Sequence, residues 1–137
     1  MEVKTESPTP LPLKSQGETI LLAEDESVVR ELAVRILEKA GYHVLVAHDG
    51  DHAVALFHQH ADRIDLALLD VVMPHKSGRA VCEEIRAFKP NLAVLFTSGY
   101  GRAHLGADFE PQEGTELIHK PFEPSELLAK VREILKR

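Results

Sequence analysis

Asp70 closes the apolar run "LALLD" at residues 66–70, and a proline stands four positions later. An unpaired carboxylate removed from water costs several kcal/mol, so this one needs partners or a task. Polar residues recur where other apolar runs end. Glu24, Asp25 and Glu26 follow "TILLA" (19–23), Thr97 and Ser98 close "LAVLFTS" (92–98), and Lys120 with Pro121 ends "ELIHKP" (116–121). Carboxylates, hydroxyls and one ammonium are the groups that phosphoryl transfer onto a carboxylate requires. The nucleophile needs cations around the equatorial oxygens and a hydroxyl that donates to them. The charges do not balance by themselves. Two carboxylates about 4 Å apart repel by about 4 kcal/mol at an effective dielectric of about 20. Lys120 offsets one unit, and a hard dication offsets two more. Mg²⁺, or Mn²⁺ in its place, suits a site of few carboxylates because it retains water ligands.

These residues converge only if the intervening chain places strand ends side by side. After an opening segment, "MEVKTESPTPLPLKSQG" (1–17), rich in Pro, Ser, Thr and Lys and without apolar period, the pattern alternates. The opening reads as a linker or N-terminal arm, and residues 18–137 as the folded domain. Strands are expected at 19–23, 42–47, 64–70, 92–98 and 116–120. Between them, helices are expected in "SVVRELAVRILEKAG", "DGDHAVALFHQH" and "SGRAVCEEIRAFKP", with a last one in "PSELLAKVREILKR". Val28, Leu32, Ile36 and Leu37 give the first helix its apolar spacing, with Ser27 expected as its N-cap and Gly41 as its stop. Asp49 caps the second, which turns Val54, Leu56 and Phe57 inward. Val81, Ile85 and Phe88 line the third. Leu127, Leu128, Val131, Ile134 and Leu135 form the stripe of the last, which Pro124 precedes. The glycine-rich stretch 99–115 allows at most a short helix near 102–108. Strand and helix in alternation imply a mostly parallel sheet covered on both faces, and such sheets bind ligands outside the carboxyl ends of their strands.

Composition narrows the function classes. The 137 residues suffice for one domain with a full core. A net charge of −6 argues against the basic footprint of a nucleic-acid binder. A single cysteine, Cys82, provides no internal disulfide and fits a reducing compartment. With neither a signal peptide's apolar core nor a stretch of the roughly 18 apolar residues of a membrane span, the expectation is a cytoplasmic chain without membrane contact.

Four segments taken together carry a resemblance: "LLAEDE" after the first strand, "DVVMP" at Asp70, "FTSGY" at the fourth strand and "HKPF" at the fifth. In this order and spacing they resemble the receiver domain of two-component response regulators over residues 18–137. The resemblance implies an α/β, flavodoxin-like, doubly wound five-stranded parallel sheet of order 2-1-3-4-5, here with a short or irregular fourth helix. It implies Asp70 as phosphoacceptor. Asp25 would hold the metal directly and Glu24 chiefly through water, with Asp70 and the Val72 backbone carbonyl completing the ligands. Thr97 is similar to the switch hydroxyl, Lys120 to the lysine that pairs with phosphoryl oxygens, and Pro121 to the cis-proline after it. The implied partners are a histidine kinase, in cis or in trans, and a histidine phosphotransfer protein. The wording "ETILLAEDES", "DVVMPHKSGRAV" and "HKPFEPSELLAKVREIL" is most like the C-terminal receiver of a hybrid sensor histidine kinase. The kinase activity would then lie outside this chain, which acts as a signalling domain rather than as an enzyme. Three departures stand out. Leu117 replaces the Phe or Tyr that often moves with the switch hydroxyl. Val72 and Gly99 offer no side chain to position a hydrolytic water, which implies slow self-dephosphorylation. The fourth-helix region is short, which puts the dimerisation surface many regulators use there in question.

Rival readings rest on the same residues. A haloacid-dehalogenase-type phosphatase needs an aspartate two residues after its nucleophile as general acid, and Val72 stands there. A flavodoxin-like cofactor site needs a phosphate loop after the first strand, where "EDE" would repel phosphate. A pseudo-receiver interaction module and a stand-alone single-domain regulator remain as alternatives. Taken singly, Glu26 reads as a helix-start acid and Ser98 as a strand-end hydrogen-bonding group. Cys82 reads as packing, and His52, His58 and His60 are not expected to form a metal site because positions 58 and 60 do not face one another. His75 reads as a loop residue and His119 as a strand residue beside the lysine.

Overall fold

The computed structural model describes residues 17–99 and 114–136. In chain order it contains β1 (Thr19–Ala23), α1 (Ser27–Lys39), β2 (His43–Ala47), α2 (Gly50–His60), β3 (Ile64–Asp70) and α3 (Gly78–Phe88). β4 (Ala93–Ser98), β5 (Thr115–His119) and α4 (Pro124–Leu135) follow. The five strands pair in parallel in the order β2-β1-β3-β4-β5, as expected. The short helix expected near 102–108 and the first 16 residues of the arm lie outside the described residues.

The pleat sorts the core into two layers. Side chains alternate along a strand, so Ile20, Leu22, Leu66, Leu68, Leu95 and Ile118 face α1 and α4, where Ala33, Ile36, Leu37, Leu127 and Val131 meet them. Leu21, Ala23, Ala67, Leu69, Val94 and Phe96 face α2 and α3, against Ala53, Phe57, Val81, Cys82 and Ile85. Leu66, Ala67, Leu68 and Leu69 are at most 1% exposed, so the central strand is covered on both sides.

Helix boundaries show what local chemistry decides. Asp49 Oδ1 accepts from the His52 N–H at 2.8 Å and Ser77 Oγ from the Ala80 N–H at 3.1 Å, capping α2 and α3. α1 differs from expectation. Its N-cap is Glu26, without a side-chain cap, and Ser27 is the first helical residue. Its far end follows the pattern: Gly41 has φ +100°, and the Tyr42 N–H reaches the Leu37 carbonyl at 3.1 Å, closing the last turn. Pro124 is the first residue of α4 rather than the residue before it, a place where its missing N–H costs nothing.

Three apolar residues expected on buried faces are exposed. Val28 is 78% exposed, Leu32 46% and Phe88 68%. α1 instead turns Ala33, Ile36 and Leu37 inward, with Val29 and Val34 packed beside them. Phe88 lies edge-on to the His58 ring, 4.6 Å between centroids, while Val81, Cys82 and Ile85 carry the contact with the sheet. Val54 and Leu56 are half-buried, and Gly50, Ala53 and Phe57 form the innermost line of α2.

Candidate functional site

Parity and register bring the strand-end residues to one place. Glu24 continues the line of Ile20 and Leu22, Asp70 that of Leu66 and Leu68, Thr97 that of Leu95, and Lys120 that of Ile118. All four therefore emerge on the same side of the sheet. Their strands are staggered to match: Ala23 pairs with Leu69, Asp70 with Thr97, and Thr97 with Ile118. A register shift between Thr19 and Ile20 adjusts the β1–β3 pairing before the site is reached.

Glu24, Asp70, Thr97 and Ser98 are buried, whereas Asp25 and Glu26 are exposed. The Lys120 ammonium is the hub. Its Nζ lies 3.1 Å from Glu24 Oε1, 3.2 Å from Asp70 Oδ2 and 3.5 Å from Glu26 Oε1. Main-chain donors fix the two buried carboxylates: the Val72 N–H donates to Asp70 Oδ1 at 3.2 Å and the Glu26 N–H to Glu24 Oε2 at 3.1 Å. The Val71 N–H bonds the Thr97 carbonyl at 2.9 Å, carrying the sheet one residue past Asp70. The Lys120–Pro121 peptide bond is cis, as the resemblance implied. A cavity of about 400 Å³ opens here, lined by Asp25, Glu26, Asp70, Val72, Gly99 and Lys120.

The electrostatics show an excess of negative charge. Burial, then the negative charge of Asp70, pushes Glu24 up to about 7, against the pull of the Glu26 N–H and Lys120. Burial likewise raises Asp70, although its hydrogen bond with Glu24 and the Lys120 charge oppose this. Burial lowers the Lys120 pKa, but attraction to Asp70 and Glu24 outweighs it, and the net shift is upward. One lysine does not neutralise the group, and the carboxylates of Glu24, Asp25 and Asp70 each offer an oxygen within 4.8 Å of the others. Oxygen-only donors in this number and charge fit a hard dication such as Mg²⁺.

The remaining sequence candidates fall outside this cluster. Leu117 is half-buried on β5, beside Phe96, and packs into the α2–α3 layer. His52 Nδ1 accepts from the His48 N–H at 3.4 Å, and His58 packs on Phe88. His75 sits in the loop after β3 with φ +69°, and His119 is exposed at the end of β5. Cys82 is buried, and burial pushes its thiol up. Sequence reasoning missed Arg30, whose Nη1 donates to the Glu24 carbonyl at 2.8 Å and the Asp25 carbonyl at 3.2 Å. It also missed Gly78, where a Cβ would stand 2.2 Å from the Asp70 carbonyl oxygen. The signal for Gly78 was a glycine opening a helix, whereas Arg30 carried none that sets it apart from a surface arginine.

The family model described as "Response regulator receiver domain" matches residues 20–132. This chain belongs to that family. Among curated relatives it is 32% identical to the response regulator receiver protein CpdR of Brucella abortus, over 85% of this chain and 95% of that protein. It is 32% identical to the sensor kinase CckA of the same organism, over 99% of this chain but 14% of the kinase. It is 37% identical to the transcriptional regulatory protein CpxR of Klebsiella pneumoniae, over 86% of this chain. The chain spans about half the length of CpxR and similar transcriptional relatives. Among solved structures, the receiver domain of the hybrid histidine kinase CckA has a TM-score of 0.74 at 33% identity, covering 85% of this chain and 98% of that one. The response regulator TrrA of Thermotoga maritima, solved in complex with Mg²⁺ and BeF, has a TM-score of 0.75 at 32% identity with the same coverage. The receiver is thus a signalling module of two-component systems. Among the described residues, no helix is long and apolar enough to cross a membrane.

Proposed function

We propose that this receiver accepts a phosphoryl group on Asp70 from a phosphohistidine, in a site completed by Mg²⁺ or Mn²⁺. The observation that carries the reading is the buried Asp70 carboxylate held between the Val72 N–H and the Lys120 ammonium, open to a cavity edged by Asp25. Glu24, Asp25 and Asp70, with the Val72 carbonyl, would hold the cation. When bound, the cation would offset the carboxylate repulsion and draw charge from the phosphoryl oxygens.

The chain's own groups account for the rest. A carboxylate oxygen of Asp70 forms the new P–O bond as the P–N bond to the donor imidazole breaks, and the electron pair leaves with that imidazole. Lys120, already bound to Asp70, exchanges part of its pairing with Glu24 and Glu26 for the arriving phosphoryl oxygens. Thr97, next to Asp70 in register, donates its hydroxyl to the same group and serves as the switch, with Leu117 as the apolar neighbour that an aromatic ring often supplies. Val72 and Gly99 line the cavity without a polar side chain to orient water, so the acyl phosphate persists.

The donor is a histidine kinase in cis or in trans, with a histidine phosphotransfer protein as a further partner. Similarity to CckA over 99% of the chain, arm included, supports a hybrid-kinase receiver, which on this reading works in the cytoplasm. The CpdR match, over 95% of that protein, supports the stand-alone reading as the second choice. Residues 1–17 act as linker and 18–137 as the receiver. Acetyl phosphate with Mg²⁺ should add one phosphoryl group, detected by intact mass, and removing Mg²⁺ or introducing Asp70→Asn should abolish it. The adduct should then decay slowly, and a label retained in Asp70→Asn would overturn the assignment.

A further inference from the structure

The acidic loop Glu24–Glu26 must hold two cation-binding carboxylates in fixed directions, yet α1 begins without a side-chain cap and without an acid in its first turn. Beyond the Glu26 N–H and the Lys120 ammonium, which bind the loop's side chains, its main chain is tied to α1 by Arg30. Its Nη1 donates to the main-chain carbonyls of both Glu24 (2.8 Å) and Asp25 (3.2 Å). Helical side chains lean toward the N-terminus, so an arginine one turn into α1 can reach back over the loop. A cation near the positive end of a helix is placed against the macrodipole, and α1 gains nothing from Arg30 as a helix-end charge. Both bonds go to main-chain oxygens, while the Asp25 carboxylate stays exposed at the cavity.

We propose that Arg30 is a positioning residue of the phosphoacceptor site: by bracing the Glu24 and Asp25 carbonyls it fixes the backbone on which the metal-binding carboxylates are mounted. The proposal rests on the Mg²⁺-dependent reading above. Groups that orient metal ligands typically cost 10- to 100-fold in affinity when removed, so Arg30→Ala should weaken Mg²⁺ binding by about tenfold. An arginine acting only as a nearby positive charge predicts the opposite sign, since its removal would tighten Mg²⁺. Calorimetric titration of the whole chain with MgCl₂ decides between them. Arg30→Lys keeps the charge but loses the guanidinium geometry and should fall between wild type and Arg30→Ala. Saturating Mg²⁺ should restore acetyl-phosphate labelling in both variants. Unchanged or tighter Mg²⁺ binding by Arg30→Ala overturns the proposal. Should that variant fail to fold, wild-type affinity in Arg30→Lys overturns it instead. Wild-type protein that neither binds Mg²⁺ nor becomes labelled would defeat the underlying functional reading, an outcome distinct from the failure of Arg30 alone.

Discussion

Glu24 and Asp70 are two buried acids that share one lysine, and their energetic cost follows from that arrangement. Glu24 is raised to about 7 in the fold, above its ordinary 4.5. For a group whose folded pKa lies above its unfolded value, the stabilising contribution is complete below the unfolded pKa and is lost as pH rises through the folded one. In EDTA, unfolding free energy should therefore fall between about pH 4.5 and 7. Asp70 is the second cause of the Glu24 shift, after burial. Asp70→Asn should then flatten that decline and stabilise the metal-free protein near pH 8, while removing its phosphorylation. Urea denaturation at pH 5 and pH 8 measures this. Equal stability at both values in metal-free wild type would show that Glu24 carries no such burden. The residue types were legible in the sequence because this chemistry admits few substitutes. Arg30 was not, since an arginine that serves backbone carbonyls looks like any surface arginine.

Helices show a different balance between pattern and packing. The cap Asp49 and the stop at Gly41 are local devices that the sequence reveals, and Ser77, not singled out there, caps α3 in the same way. Which stripe faces the sheet is not local. Ile85 and Phe88 lie three apart on α3, and spacing alone ranks them equally, yet Ile85 is 0% and Phe88 68% exposed. Phe88 is the last residue of α3 and meets the exposed His58 ring instead of the sheet, whereas Ile85 lies among Val81 and Cys82 in the core. Ile85→Ala should cost about 2–5 kcal/mol by chemical denaturation, and Phe88→Ala within about 0.5 kcal/mol. A comparable loss for both would contradict the observed face. The glycines at the starts of α2 and α3 belong to the same scale. A Cβ at Gly50 would stand 2.1 Å from the Lys76 carbonyl oxygen, so α2 seats directly on the loop that follows Asp70.

At the scale of the whole molecule, the site is mounted on its most buried elements. β1 and β3, which present Glu24 and Asp70, are two of the three inner strands and have helices on both faces. Cation binding there should therefore be coupled to global unfolding. Mg²⁺ at 100 times its dissociation constant should add about 2.7 kcal/mol to stability. The same shift should be seen in far-UV circular dichroism and tyrosine fluorescence, as one cooperative transition. A Mg²⁺ effect on one probe alone would mean that the site unfolds separately from the sheet.

The sequence by itself determined the alternation of strand and helix, the parallel α/β class and the residues able to do the chemistry, because hydrophobic period and side-chain type are properties of the chain. Tertiary structure alone decided that those residues meet. Convergence depends on parity and stagger among strands distant in sequence. A slip of one residue would send every side chain of a strand to the opposite face. Pairing Ala23 with Leu69, and Asp70 with Thr97, sets Glu24, Asp70 and Thr97 level on one side, and Lys120 emerges on that side two residues beyond Ile118, the partner of Thr97. The same packing turned Ala33, Ile36 and Leu37 of α1 inward and left Val28, Leu32 and Phe88 in solvent.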